Sequence, residues 1–354
     1  MRAQQDPLVI NGSQGEGGGM LLRTALSLAA LTVQPVRIHH IRGGTRKPGL
    51  TSEDLTFLQA AEYICEAKLG GVDLGSEEIL YVPTRAPRPL KGIYDVGSHE
   101  KGSIPGNALM IIDSLLPILA KSGAYSTFSV KGETYNPNTL TFDAFQQATL
   151  RLHAAQGLVA FAEQNLAGFG FAAKGEVFAE VEPSALHGFD WSNRGELESV
   201  VAVVSHSGIS KDIPERAVKA MTEFCERLCK TFEVEACEVP SKTNGMFVTF
   251  VARYERGIGC GTAMGGRGIR TEQVVRSAGE MLMRFVKSDA TLDPFLADQA
   301  LVAGALASSP TRFKTLTITP RLQTMAWVIR QFMPISITIL GQPGMPGTVT
   351  INPS

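Results

Sequence analysis

One arrangement of apolar segments occurs three times in the chain, and it constrains the fold more than any other feature. In each copy, an apolar stretch of helical length precedes a short segment rich in β-branched and aromatic residues. Such self-similarity indicates units related by repetition. The predicted helix and strand of the three copies are residues 20–31 with 35–41, 108–120 with 125–130, and 295–307 with 313–318.

Each copy continues into a second amphipathic helix and then a pair of short strands separated by glycine and proline, as hairpins require. The predicted second helices are 52–67, 142–158 and 322–332, and the predicted strand pairs are 67–69 with 79–82, 170–173 with 177–181, and 335–339 with 348–351. A single unit would leave helix faces and a sheet face uncovered, so the units should pack around a common core. The expected fold is α/β (α+β), with three repeated helix-strand-helix-hairpin units forming a trilobed body.

About a hundred residues between the second and third copies do not follow the repeat. They predict strands at 200–205, 234–239 and 247–254 and helices at 214–232 and 271–287. An insertion with this content indicates a small α/β domain with its own core. We therefore expect a large three-repeat domain formed by residues 1–185 and 291–354, and a small inserted domain formed by residues 186–290.

Composition limits the classes of function. A chain of 354 residues with 44% hydrophobic content can bury a large core. A net charge of -1 excludes a generally basic nucleic-acid binder, so any such contact must be local. Five cysteines without paired C-x-x-C spacing favour reduced thiols over disulfides or a zinc site. The chain lacks an apolar run of membrane-spanning length and a signal-peptide pattern, so we expect a cytoplasmic protein without a membrane segment.

The segment from Gly12 to Arg23 combines several glycines, the carboxylate of Glu16 and the start of an apolar helix. Helix N-termini favour anions, and glycines let the backbone approach a phosphate. Arg23, about one turn inside the helix, adds a fork of donors. The segment matches neither the Walker pattern nor G-x-G-x-x-G. It is interpreted either as a phosphate and metal site or as a plain tight turn.

Four motifs together indicate a family. They are Gln14-Gly15-Glu16-Gly17-Gly18-Gly19 leading to Arg23, Ile41-Arg42-Gly43-Gly44-Thr45-Arg46-Lys47-Pro48-Gly49-Leu50, Gly132-Glu133-Thr134-Tyr135-Asn136-Pro137, and Leu296-Ala297-Asp298-Gln299. Over nearly its whole length, the chain closely resembles the RNA 3'-terminal phosphate cyclase family, which also carries a small inserted domain. The resemblance implies ATP-dependent conversion of an RNA 3'-phosphate to a 2',3'-cyclic phosphate, with Mg²⁺ (or Mn²⁺) and with AMP carried by a histidine.

The resemblance also implies roles for individual residues. Glu16 matches the residue that helps to hold the metal and the triphosphate. Arg23 and Arg42 match arginines that contact phosphates. The remaining matches lie near the nucleotide and are Asn136, Pro137, Asp298 and Gln299.

Several positions depart from the family pattern. Thr45 stands where a second arginine is expected, and the adjacent Arg46 is a candidate substitute. Glu53 and Asp113 stand where glutamines are usual, and extra carboxylates beside a triphosphate would repel it unless a cation intervenes. Phe295 replaces a tyrosine, which keeps ring stacking on adenine but removes a hydroxyl.

The largest departure concerns the nucleophile, because the position of the family's histidine is Arg321. The chain has no histidine after His206. Arginine stays protonated and offers no lone pair, so Arg321 is expected to bind an anion instead. His99, in a polar loop, is the first candidate for a relocated nucleophile, and Lys101 is the second.

Three functions stay open at this point. The first is a cyclase whose partners are ATP and an RNA 3' end, with DNA not expected. The second is a non-catalytic RNA-binding relative acting in RNA or ribosome biogenesis. The third is an enolpyruvyl-transferase-like enzyme on a phosphorylated small molecule, because fold alone does not fix function. A homodimer is compatible with each of them.

Overall fold

The computed structural model describes residues 6–99, 106–137, 139–171 and 173–353. Three of its four-stranded sheets share one strand order. In each of these sheets the first strand is parallel to the second, which is antiparallel to the fourth, and the fourth is antiparallel to the third. The three units therefore have the same topology, and the predicted α/β class is confirmed.

The first unit begins with a strand that the sequence did not predict. Its elements are β1 (Leu8–Asn11), α1 (Gly19–Thr32), β2 (Val36–His39), α2 (Ser52–Cys65), β3 (Lys68–Gly70) and β4 (Glu78–Val82). β1 is only four residues long and has a single buried residue, Ile10, so it has little of the alternation that identifies a strand.

The second unit has an interrupted second helix. Its elements are β5 (Lys91–Asp95), α3 (Ala108–Ala120), β6 (Ser126–Gly132), α4 (Phe142–Ala144), a π-helical turn (Phe145–Thr149), α5 (Leu150–Ala155), β7 (Ala160–Leu166) and β8 (Gly175–Val181). The predicted strand at 170–173 is wrong, because the partner of β8 is β7. The predicted helix was extended too far, because Gly157 adopts a φ of +79° and turns the chain after α5.

The third unit is split by the insertion. It opens with β9 (Asp190–Trp191), and the insertion then supplies β10 (Leu197–Ser207), α6 (Asp212–Leu228), β11 (Phe232–Glu238), β12 (Gly245–Tyr254), β13 (Gly257–Met264) and α7 (Thr271–Val286). The unit resumes with α8 (Pro294–Ala305), β14 (Thr311–Thr315), α9 (Pro320–Phe332), β15 (Ser336–Gly341) and β16 (Gly347–Asn352). The inserted sheet has the order β11-β10-β12-β13.

Two hydrophobic clusters form the interior. The larger one joins all three units, and it also includes Phe247 and Val251 from β12 of the insertion. The smaller one lies between the opposite face of the inserted sheet and helices α6 and α7. The division into domains 1–185 with 291–354 and 186–290 stays an interpretation of the sequence. No helix in the described part of the chain is long and apolar enough to cross a membrane.

Candidate functional site

The glycine-rich loop between β1 and α1 is held against the third unit. Gly15 adopts a φ of +60°, and a Cβ there would lie 2.2 Å from Oγ1 of Thr324 on α9. The next backbone N–H, that of Glu16, donates to the same Thr324 oxygen over 2.9 Å. The loop conformation therefore requires glycine, and this contact fixes Glu16 beside the start of α9.

Glu16 and Arg321 form an ion pair at that point. Arg321 Nε and Nη2 each lie 3.3 Å from a Glu16 carboxylate oxygen. Arg321 Nε also lies 3.9 Å from Oδ2 of Asp298, and its guanidinium carbon lies 5.5 Å from the centre of the Phe295 ring. Residues from the first unit, α8 and α9 thus meet in one cluster, hereafter the Arg321 cluster (Glu16, Phe295, Asp298 and Arg321).

Burial controls protonation in the Arg321 cluster. It raises the pKa of Asp298 to about 7, although Arg321 and the hydroxyl donated by Thr319 oppose the rise. Burial alone would lower the pKa of Arg321, but its hydrogen bonds to Glu16 and the charge of Asp298 raise that pKa above the ordinary value. Arg321 is therefore a fixed cation, whereas Asp298 exchanges a proton near neutral pH.

Arg23 and Arg42 meet around Asp54, a residue not singled out from the sequence. Asp54 is fully buried, and it accepts hydrogen bonds from Arg42 Nη2 at 2.9 Å and Arg42 Nε at 3.1 Å. Arg23 Nη1 lies 3.4 Å from its other oxygen. Asp54 also completes a capping box with Thr51 at the start of α2. The T-x-x-D spacing was readable in the sequence, whereas the arginine contacts depend on tertiary structure.

Glu53 covers Arg23. One of its oxygens lies 2.5 Å from Arg23 Nη1, and the other accepts the backbone N–H of Asn107, the cap residue of α3, over 2.9 Å. Arg23 is only 3% exposed. A Cβ at Gly19 would lie 2.5 Å from Arg42 Nη2, so a larger residue there would displace the guanidinium of Arg42. The charge of Glu53 also acts on Arg321, so the pair formed by Arg23 and Arg42 adjoins the Arg321 cluster.

A cavity of about 230 Å³, hereafter the Phe295 cavity, opens beside the Arg321 cluster. Its wall includes Pro137, Phe295 and Gln299 from the repeated units and Thr262 and Ala263 from β13 of the insertion. The lining is mostly apolar, and buried Gln299 accepts a hydrogen bond from Thr149 over 2.9 Å. The cavity therefore offers an aromatic face and few polar atoms, as sites for flat ring systems do.

Two predicted residues have other partners. Asp113 is buried on α3, where it forms a 2.9 Å contact with His153 Nε2 and lines a separate cavity of about 20 Å³ that also touches Gln299. His99 Nε2 lies 3.0 Å from the Thr56 hydroxyl on α2, and burial lowers the pKa of His99 despite the opposing charge of Asp95. The structure thus gives neither residue a direct contact with the Arg321 cluster.

The remaining predicted residues lie at the periphery of the site or outside the residues that the structure describes. Asn136 donates to Glu133 over 2.6 Å, next to Pro137. Arg46 is exposed in the loop after Arg42. Lys101 lies outside the described residues. Sequence reasoning missed Thr319 and Thr324, which hold Asp298 and Glu16 in place and carry no sequence signal for that role.

Comparison with known proteins adds an independent finding. The model of the RNA 3'-terminal phosphate cyclase family matches residues 14–339. An RNA 3'-terminal phosphate cyclase from Methylococcus capsulatus is 35% identical over 329 residues, which are 92% of this chain and 91% of the relative. Another from Gloeothece citriformis is 33% identical, covering 92% and 93% of the two chains. A third from Methanopyrus kandleri is 31% identical, covering 97% and 98%.

Among solved structures, the enolpyruvyl transferase NikO from Streptomyces tendae aligns with 98% of this chain and 48% of its own, at 12% identity and a TM-score of 0.39. A score of this size carries no argument about function. The family match and the relatives, in contrast, cover nearly the whole chain, and the matched residues 14–339 include Glu16, Arg42 and Asp298. On these grounds, the chain belongs to the RNA 3'-terminal phosphate cyclase family.

Proposed function

We propose that this protein is an active cyclase, which uses ATP to convert an RNA 3'-phosphate into a 2',3'-cyclic phosphate. One observation carries the proposal: the apolar Phe295 cavity and the charged Arg321 cluster share the Phe295 side chain. A nucleotide needs this combination, because its base prefers an apolar aromatic surface while its phosphates prefer arginines. In this proposal Phe295 stacks on adenine, and Arg321 and Arg42 bind phosphate oxygens.

Mg²⁺ fits the carboxylate of Glu16 in the Arg321 cluster. Glu16 lies beside Arg321, and hard oxygen ligands are the ones that Mg²⁺ prefers. No group of three or more metal-binding side chains occurs in the described part of the chain. Mg²⁺ commonly takes one or two carboxylates and fills its remaining positions with water and substrate phosphates. Glu16 would hold the ion, which would offset charge on the triphosphate.

Because Arg321 stays protonated, the reaction is proposed to pass without a covalent enzyme intermediate. An oxygen of the RNA 3'-phosphate bonds to the α-phosphorus of ATP, and the bond to the leaving pyrophosphate breaks. The 2'-oxygen then bonds to the activated 3'-phosphorus, and AMP leaves. Asp298, with a pKa of about 7, is suited to accept the 2'-hydroxyl proton, while Arg321 offsets the negative charge that develops.

His99 has no covalent role in this proposal, since its Nε2 is engaged by Thr56 on α2. The test is a 3'-phosphorylated RNA oligonucleotide with ATP and Mg²⁺ or Mn²⁺, scored by resistance of the terminal phosphate to phosphatase. We expect conversion by the wild type and by His99→Ala, and loss of conversion in Arg321→Ala. Arg256→Ala, an exposed arginine in the turn after β12, is the matched control and should convert normally.

A second candidate function follows from a different observation. Arg23 is buried, and Glu53 already occupies its Nη1, so the triphosphate would have to compete with a carboxylate of the protein itself. A protein that grips RNA ends without chemistry would tolerate this arrangement. Specific binding of the oligonucleotide without any conversion, under every metal tested, would favour this function over the cyclase.

A further inference from the structure

Four loops converge at one edge of the inserted sheet. They connect β7 to β8, β10 to α6, β11 to β12, and β13 to α7. The Ser241 hydroxyl donates to the Ala167 carbonyl oxygen over 2.8 Å, which joins the β11–β12 loop to the β7–β8 loop. Ile209, Asn244 and Gly266 line one groove together, so the β10–α6, β11–β12 and β13–α7 loops are also neighbours. We call this surface the loop platform.

The loop platform is basic although the chain as a whole is not. Its loops contain five exposed cations, which are Lys174, Lys211, Lys242, Arg267 and Arg270. The same loops contain no aspartate or glutamate, while the whole chain has a net charge of -1. None of the ion pairs formed within the described ranges involves these five residues. The charge of Arg270 acts on Glu272 of α7, and the charges of the other four are available to an anionic partner.

The platform also has an apolar floor. Its groove has a volume of about 580 Å³, and the apolar side chains of its lining are Ile209, Ile213, Met246 and Ile269. Ile269 is 48% exposed and Phe171, on the β7–β8 loop, is 69% exposed. An exposed aromatic ring beside cations suits single-stranded nucleic acid, because a base stacks on the ring while the cations follow the phosphates.

The β7–β8 loop of the platform adjoins the Phe295 cavity at the end of β13. Ala263 of β13 lines that cavity, and a Cβ at Gly170 of the loop would lie 3.1 Å from Cε of the next residue, Met264. The groove itself lies around the end of the sheet, because its Met246 belongs to the face that packs on α6 and α7, whereas Phe247 of the cavity belongs to the other face. A strand of RNA whose end lies at the reaction centre can therefore continue onto the platform.

We propose that the loop platform binds the single-stranded RNA that precedes the 3'-terminal nucleotide. The inference rests on the proposed function for its substrate, and it adds a second binding surface formed by the insertion. Lys174, Lys242 and Arg267 contact successive phosphates, and Phe171 stacks on a base. Substrate affinity then depends on RNA length, whereas recognition of the terminal phosphate does not involve the platform.

The test compares two triple variants. Lys174→Ala/Lys242→Ala/Arg267→Ala removes three platform cations, and Lys68→Ala/Lys121→Ala/Lys230→Ala removes three exposed lysines elsewhere. The measurement is fluorescence anisotropy with a 5'-labelled, 3'-phosphorylated RNA 12-mer over a range of KCl concentrations. We expect the platform variant to bind at least tenfold more weakly, with a salt slope smaller by about 2, since each phosphate contact on a single strand contributes about 0.7.

Phe171→Ala separates stacking from charge. It should weaken binding of the 12-mer by at least about fivefold, as loss of one base stack does. Phe161→Ala, which removes an exposed phenylalanine from β7, should leave binding unchanged. Unfolding temperatures equal to that of the wild type would establish that all variants are folded.

The outcomes distinguish this inference from the proposed function. Platform-dependent RNA binding without cyclisation would overturn the proposed function alone. Cyclisation with wild-type affinity and salt slope in the platform variant would overturn this inference alone. As a further check, a 3'-phosphorylated dinucleotide should be converted equally by the wild type and the platform variant, because it is too short to reach the groove.

Discussion

At the residue scale, Asp298 couples the stability of the site to pH. Its carboxyl is 4% exposed, and burial raises its pKa from 3.8 to about 7, a change that corresponds to roughly 4 kcal/mol. Because the folded pKa is the higher one, the contribution to stability is complete below about pH 4 and is lost as the pH rises through 7.

The prediction concerns Asp298→Asn, which keeps an acceptor for Thr319 but does not ionise. Between pH 4 and pH 8, the wild type should lose up to about 4 kcal/mol of unfolding free energy relative to this variant. Urea denaturation at several pH values measures the difference. A difference that is constant over this range would show that Asp298 ionises as an ordinary exposed carboxyl does.

Glu53 is the second residue for which the structure makes a specific prediction, here about the affinity for ATP. Its carboxylate holds Arg23 and the backbone N–H of Asn107, so it occupies donors that a phosphate would use. Glu53→Gln should therefore bind ATP about fivefold more tightly, because a negative charge is removed next to the triphosphate. Calorimetric titration gives the affinity, and Glu62→Gln, on the exposed side of α2, is the control. Equal affinities for the wild type and Glu53→Gln would place the triphosphate away from this carboxylate.

Sequence reasoning reached the residue types of the site but not their pairings. Motif matching identified Glu16, Arg42 and Asp298 as candidate site residues, and counting along the chain identified Arg321. The partners Asp54 and Thr324 were missed, because an ion pair or hydrogen bond between distant segments has no local pattern. The contact of Asp113 with His153 had no pattern in the sequence either.

At the element scale, α2 and the glycine-rich loop position the charged side chains. Thr51 caps α2 by accepting the N–H of Asp54, and Asp54 in turn orients Arg42. We expect Thr51→Ala to lower the unfolding free energy by about 1 kcal/mol, as loss of a helix cap usually does. Thr51→Ser should retain most of the stabilisation that the cap provides. Thermal denaturation compares the two, and equal losses would mean that the methyl group matters rather than the cap.

Gly15 permits a second test with a matched control. Gly15→Ala places a methyl group 2.2 Å from Thr324 Oγ1 in a backbone conformation with positive φ. Gly75 also has a positive φ, of +79°, but has no atom within 4 Å of an added Cβ. Both variants suffer backbone strain of about 1 kcal/mol, so a greater loss of stability in Gly15→Ala measures the contact with α9. Equal losses would mean that the loop moves away freely.

Sequence patterns predicted the long elements better than the short ones. The periodic apolar helices α1, α3 and α8 were located within a few residues, whereas the leading strands β1, β5 and β9 were missed. These strands have two to five residues, too few for alternation to become visible. They are recognised as strands by their hydrogen bonds in the sheets, where each one pairs with the next strand of its unit.

At the scale of the whole molecule, the insertion shares the core of the repeated units. Phe247 and Val251 on β12 belong to the large cluster, while the opposite face of the same sheet packs on α6 and α7. A buried hydrogen bond from Ser205 on β10 to Asp143 on α4, 3.0 Å long, adds a polar link. The smaller cluster is formed mostly by the insertion, and it covers only one face of the inserted sheet.

This arrangement predicts that the insertion and the body unfold together. Phe247→Ala removes a fully buried ring at the shared face and should cost about 3–5 kcal/mol. Met221→Ala truncates a buried side chain on α6 that contributes only to the smaller cluster. Calorimetry should give one transition for the wild type, and both variants should shift it downwards without splitting it, because loss of the insertion would expose the apolar face of the body. Two separate transitions in the wild type would contradict a shared core, and a second transition in Phe247→Ala alone would identify that ring as the link between the two parts.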